Sequence, residues 1–156
     1  LTYALDPLFI VSLVGLALTV YGLIIPTEIR DYFGDKAMGI ESMTVHLGLV
    51  KACVLSILFL SVGGALLTSG FVLRVIGGVH PLLAVFVLVI IAADAIVLRQ
   101  CVRLYSLSME YTSSRNDSSA ADQVVELSAN NPKWIMLVTQ TYTLLSIVLL
   151  VSKFVI

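Results

Sequence analysis

Charge is scarce in this chain: Asp, Glu, Lys and Arg make up only 12% of it. An ordinary soluble domain carries roughly twice that fraction. Such a shortage excludes a conventional solvated globule. Net charge is −1, and nothing in it calls for nucleic acid. Cysteine is scarce too. Cys53 and Cys101 lie 48 residues apart, with no Cys-x-x-Cys pair and no disulfide framework. They read as small buried apolar residues. His46 and His80 stand alone and read as interfacial residues rather than metal ligands. No cleavable signal peptide is evident, because the first apolar block lacks a basic flank. No internal repeat is present.

Apolar sequence is plentiful. Hydrophobic residues make up 59% of the 156, and they fall into four blocks at about 7–26, 49–69, 79–101 and 134–152. Each approaches the roughly 20 residues that cross a hydrocarbon core of about 30 Å. The expected fold is all-α: a polytopic transmembrane helical bundle with four spans, an integral multi-pass membrane protein. Gly15, Gly22, Gly63, Gly64, Ala92 and Ala93 would let its helices approach closely in lipid. The chain starts at Leu1, almost directly at a span, which reads as a piece or processed form of a longer protein.

Four spans sort the basic residues unequally. Arg30, Lys36, Lys51, Arg99, Arg103, Arg115 and Lys133 fall on one side, against Arg74 and Lys153 on the other. The positive-inside rule then puts the 27–48 and 102–133 segments in the cytoplasm. Pro26 is expected to break or kink the first helix at the membrane boundary, and Thr27 to cap a new turn. Residues 40–47 read as a loop or short helix, and 70–78 as a turn on the opposite side. Residues 103–132 form a longer connection with a polar stretch at 113–119 and a short helix at 120–129. It would either cover a site on its side of the membrane or serve as a plain solvated connector.

The polar stretch after the first block holds the most chemistry. In Pro-Thr-Glu-Ile-Arg-Asp-Tyr-Phe-Gly-Asp-Lys-Ala-Met-Gly, the carboxylates Glu28, Asp31 and Asp35 are spaced by three and four. On a helix they share one face, within about 60° of arc. Like charges so close need a compensating cation. Oxygen ligands suit Mg²⁺, which often bridges carboxylates to substrate phosphates. Asp94 is the single carboxylate deep in a span. It should face the bundle interior, either lining a polar cavity or serving as a structural hydrogen-bonding group.

The run from Glu28 through Asp31, Asp35, Lys36, Gly39, Ser42 (or Thr44) and Val45 to Gly48 resembles the second aspartate-rich motif of the UbiA superfamily of intramembrane prenyltransferases. Glu28 stands where many members carry Asp. The resemblance implies a nine-helix fold, of which this chain would supply the last four, as the carboxy-terminal part. It implies Mg²⁺-dependent prenyl transfer in isoprenoid biosynthesis, from a prenyl diphosphate to an aromatic or lipid-like apolar acceptor within the membrane. Glu28, Asp31 and Asp35 would be metal ligands, with Asp31 and Asp35 catalytic. Arg30 and Lys36 would contact diphosphate oxygens, and Asp94 would line the substrate cavity. The family's first aspartate-rich motif is absent here and would belong to an amino-terminal half, so these residues alone are expected to be inactive.

Three other readings compete. A transporter or channel fragment could bind a cation at the acidic cluster, and Asp94 suits it, but ion binding does not require the Gly-x-x-Ser-x-x-Val-x-x-Gly tail. A CDP-alcohol phosphotransferase would need an Asp-Gly and Ala-Arg run that is missing. A structural bundle with a solvated acidic turn is the third.

Overall fold

The computed structural model describes residues 7–76, 82–114 and 118–155. His80 and Arg115 lie outside them, and the side chains of Arg74 and Lys153 are not described. The fold is all-helical: α1 Pro7–Met38, α2 Met43–Leu47, α3 Leu49–Ile76, α4 Leu82–Ser113, α5 Ser118–Ser128 and α6 Asn131–Val155. Two of these helices, α1 and α3, are long and apolar enough to cross a membrane.

Contrary to expectation, Pro26 does not interrupt the first helix, which runs through it to Met38. Proline has no N–H for the carbonyl four residues back, here Gly22. That carbonyl instead accepts a hydrogen bond from Ser56 Oγ of α3 at 2.7 Å. The next carbonyl, Leu23, accepts one from Asn131 Nδ2 at the start of α6, at 2.8 Å. A proline is tolerated inside an apolar helix when neighbouring side chains satisfy the groups it frees. Thr27 is accordingly no helix cap. Its hydroxyl accepts a second hydrogen bond from Asn131 Nδ2 at 2.5 Å.

The α1–α3 seam is antiparallel and tight. A Cβ on Gly63 would lie 2.6 Å from the Thr19 backbone nitrogen; one on Gly15 would lie 2.8 Å from that of Leu67, and one on Gly22 2.9 Å from that of Leu60. Of the six small residues expected at interfaces, Ala92 alone is exposed. Hydroxyl and thiol groups line the next seam, where Cys53 Sγ and Ser108 Oγ are 3.4 Å apart between α3 and α4. Both cysteines are buried and free.

Leu23, Leu60, Val97, Trp134 and Val138 form one core cluster. Ile25, Ile29, Tyr32, Leu49, Leu104 and Val124 form a second at the polar end of the bundle. Helices α3 and α4 run further than the apolar blocks, through Gly70 and through Arg103 to Ser113. The expected turn at 70–78 is helical as far as Ile76, and its remainder lies outside the described residues. The amphipathic α5 takes the place of the expected 120–129 helix and buries Ala120, Val124 and Ser128.

Candidate functional site

The polar end of α1 presents the carboxylates, and the residues after it explain its geometry. Gly39 adopts φ +70°. Its N–H reaches the Lys36 carbonyl at 3.4 Å, while the Ile40 N–H reaches the Asp35 carbonyl at 2.9 Å. This pair of bonds is a Schellman stop, which favours glycine because a side chain strains at that φ. Helix α2 follows and stacks back on α1, with the buried Thr44 donating through Oγ1 to the Glu28 carbonyl at 3.3 Å. Gly48, at φ +79°, ends α2 and starts α3. Val45 packs against the cluster holding Ile29 and Tyr32. The Gly-x-x-Ser-x-x-Val-x-x-Gly tail therefore has a structural role: it turns the chain between two antiparallel helices.

Glu28 and Asp35 are half-buried and Asp31 is exposed. Glu28 Oε2 is buried with no hydrogen-bond partner. A carboxylate oxygen in that position is costly unless a cation or donor reaches it. Asp31 is engaged differently. Arg30 Nε meets its Oδ1 at 2.9 Å and Arg30 Nη2 its Oδ2 at 3.3 Å. The hydrogen bond from Arg30 holds the Asp31 carboxyl below the usual carboxylate range. Among the described residues, no three His, Cys, Asp or Glu side chains converge to hold a metal ion. The three carboxylates share a face but span seven residues, about 10 Å along the axis. Of the three, Glu28 alone has a buried oxygen left without a partner.

That same face of α1 continues into the apolar part of the helix. Ile10, Leu13, Val14, Tyr21 and Ile24 are all exposed along it. The result is one stripe, apolar and exposed for four turns, then acidic for two, with Asp31 exposed and Glu28 and Asp35 half-buried.

Lys36 is not on this face. It stands about 140° round the helix from Asp31, with its Nζ 5.6 Å from the centre of the Tyr32 ring. It opens with Lys51 onto a separate cleft of about 320 Å³. Asp94 is distant as well. Its Oδ2 accepts a hydrogen bond from Tyr142 Oη at 2.8 Å. It faces Gly64, where a Cβ would come within 3.1 Å of Oδ2. Gly63 packs on Thr19, twelve residues before Asp31, so Asp94 sits roughly 18 Å along the bundle from the acidic end. The structure brings Glu28, Asp31, Asp35 and Arg30 to one end face, and sets Lys36 and Asp94 apart from it.

Sequence reasoning overlooked Ser56 and Asn131. The signal for Ser56 was Pro26, because a proline within an apolar helix leaves the carbonyl four residues back in need of a donor from elsewhere. No family model, characterised protein or solved structure matches the chain.

Proposed function

We propose that this chain forms the carboxy-terminal part of an intramembrane prenyltransferase of the UbiA type. In this reading α1, α3, α4 and α6 are four spans, with the acidic end of α1 in the cytoplasm. The reaction is Mg²⁺-dependent transfer of an isoprenyl group from its diphosphate to an apolar acceptor. One observation carries the reading: a single face of α1 is apolar and exposed from Ile10 to Ile24 and carries the carboxylates Glu28, Asp31 and Asp35 beyond it. Its chemistry matches an amphiphile with a long hydrocarbon tail and a metal-bound anionic head. Lipid alone accounts for the apolar half but not for three carboxylates continuing it.

Glu28, Asp31 and Asp35 would hold the metal, together with ligands from outside residues 28–35. A Mg²⁺ held there would supply positive charge against the negative charge that develops on a departing diphosphate. Arg30 fixes the orientation of the Asp31 carboxylate through its two hydrogen bonds. Tyr21 and Ile24 cover the tail next to the reacting carbon and keep water from it. Asp94 is engaged by Tyr142, which leaves less support for a cation pathway through the bundle.

The test is prenyl transfer by the full-length protein at saturating Mg²⁺ with a radiolabelled prenyl diphosphate. Asp31→Asn and Asp35→Asn should each lower the rate at least about 100-fold, the scale seen when one preorganised electrostatic group is lost. Glu28→Gln should also lower it. Monodispersity in detergent should be unchanged, because removing one of several like charges relieves repulsion. Near wild-type rates in both Asp variants would sink the reading.

A further inference from the structure

The cleft behind the acidic face has chemistry of its own. Lys36 from α1 and Lys51 from α3 line it, with Tyr32, Gly48, Tyr111 and Thr112. Arg30–Asp31 is the only ion pair among the described residues, so neither lysine meets a carboxylate there. Two cations facing one cleft of about 320 Å³ without a counter-charge repel each other and favour an anion between them. Three residues beyond Lys51, an exposed apolar stripe begins on the same face of α3: Val54, Leu58 and Val62 at 50%, 52% and 42% exposure. Lysine and tyrosine at the end of such a helix sit at headgroup level when the helix crosses a bilayer.

We infer that this cleft seats the phosphate headgroup of an anionic membrane phospholipid, with an acyl chain lying along Val54, Leu58 and Val62. Lys36 and Lys51 bind the phosphate oxygens from two sides. Tyr111 and Thr112 border the headgroup from α4, and the ring of Tyr32 backs Lys36. The apolar stripe selects a lipid over free phosphate, since a soluble ion makes no use of it. The site is independent of prenyl transfer, because Lys36 faces away from the Asp31 carboxylate and Lys51 belongs to another helix.

Native mass spectrometry of the protein in detergent, titrated with phosphatidylglycerol or phosphatidylcholine, tests this. Phosphatidylglycerol should bind more tightly than phosphatidylcholine. The Lys36→Gln/Lys51→Gln double variant should lose about 30-fold of that affinity, roughly fivefold per lysine. Lys36→Arg/Lys51→Arg should retain it, which separates loss of charge from loss of fold. Inorganic phosphate or pyrophosphate at equal concentration should not displace the lipid. Wild-type affinity in the Gln pair overturns the assignment, as does loss of binding in the Arg pair. Displacement by phosphate or pyrophosphate overturns it equally, by making a soluble anion the occupant.

Discussion

At the scale of single residues, the most consequential contact is the one between Ser56 and Gly22. Pro26 frees the Gly22 carbonyl, and Ser56 Oγ satisfies it across the α1–α3 seam at 2.7 Å. Ser56→Ala should therefore leave a buried acceptor without a donor and cost about 1 kcal/mol, the modest scale of hydrogen bonds between membrane helices. Pro26→Ala restores the backbone N–H, so Gly22 no longer depends on α3. In that background the same Ser56→Ala change should cost clearly less. Reversible unfolding of the four variants in mixed micelles measures the coupling. Equal costs in the two backgrounds would mean that Ser56 acts by packing alone. Asn131, fully buried and bonded to the Leu23 carbonyl and to Thr27, ties α6 to α1 one residue further on.

At the scale of the helix, α1 owes its partner to small residues and its end to a special backbone angle. Gly63→Ala should destabilise by several kcal/mol, because the added methyl meets the Thr19 backbone at 2.6 Å and only separation of the helices relieves it. Gly34 offers the contrast within α1: nothing lies within 4 Å of its Cβ position. Gly34→Ala should stabilise by roughly 0.5–1 kcal/mol through helix propensity. Gly39→Ala, with φ at +70°, should cost about 1 kcal/mol. Thermal unfolding of the three variants ranks them, and a Gly34 variant less stable than the Gly63 variant contradicts the seam. Much of this level was legible in the sequence. Apolar blocks gave the long helices, spacing put Glu28, Asp31 and Asp35 on one face, and small residues marked the seams. Continuation through Pro26 was not legible, because the compensating donor, Ser56, comes from 30 positions away. The Lys36–Lys51 cleft was hidden for a related reason. It exists only once Gly39 and Gly48 have folded α2 back against α1.

At the scale of the whole molecule, alternating helix direction decides which residues share an end. Gly22 meets Ser56 and Leu60, and Cys53 meets Ser108, so α1, α3 and α4 run up, down and up. The polar end of α1, the start of α3, the end of α4 and all of α5 then lie together. Arg30, Lys36, Lys51 and Arg103 belong to those segments, and Lys133 stands in the first turn of α6, directly after α5. Outward-facing apolar residues occur on α4 and α6 as well, among them Leu88, Val89, Ile96, Met136 and Leu144. A helix that is apolar outside as well as inside suits a lipid surround. In the four-span reading proposed above, the positive-inside rule assigns the basic end to the cytoplasm. A single cysteine at Ser114, exposed beyond the end of α4, should react with an impermeant maleimide only when the cytoplasmic face is open to the reagent. One at Ile76, 76% exposed at the far end of α3, should react only from the opposite face. The native Cys53 and Cys101 are buried and should remain silent in both preparations. Labelling of Ser114 from outside intact cells, with Ile76 protected, would invert the orientation and place the carboxylates of α1 on the external side. Labelling of both from one side would exclude α4, the one helix between the two positions, as a span, and with it the four-span arrangement proposed above.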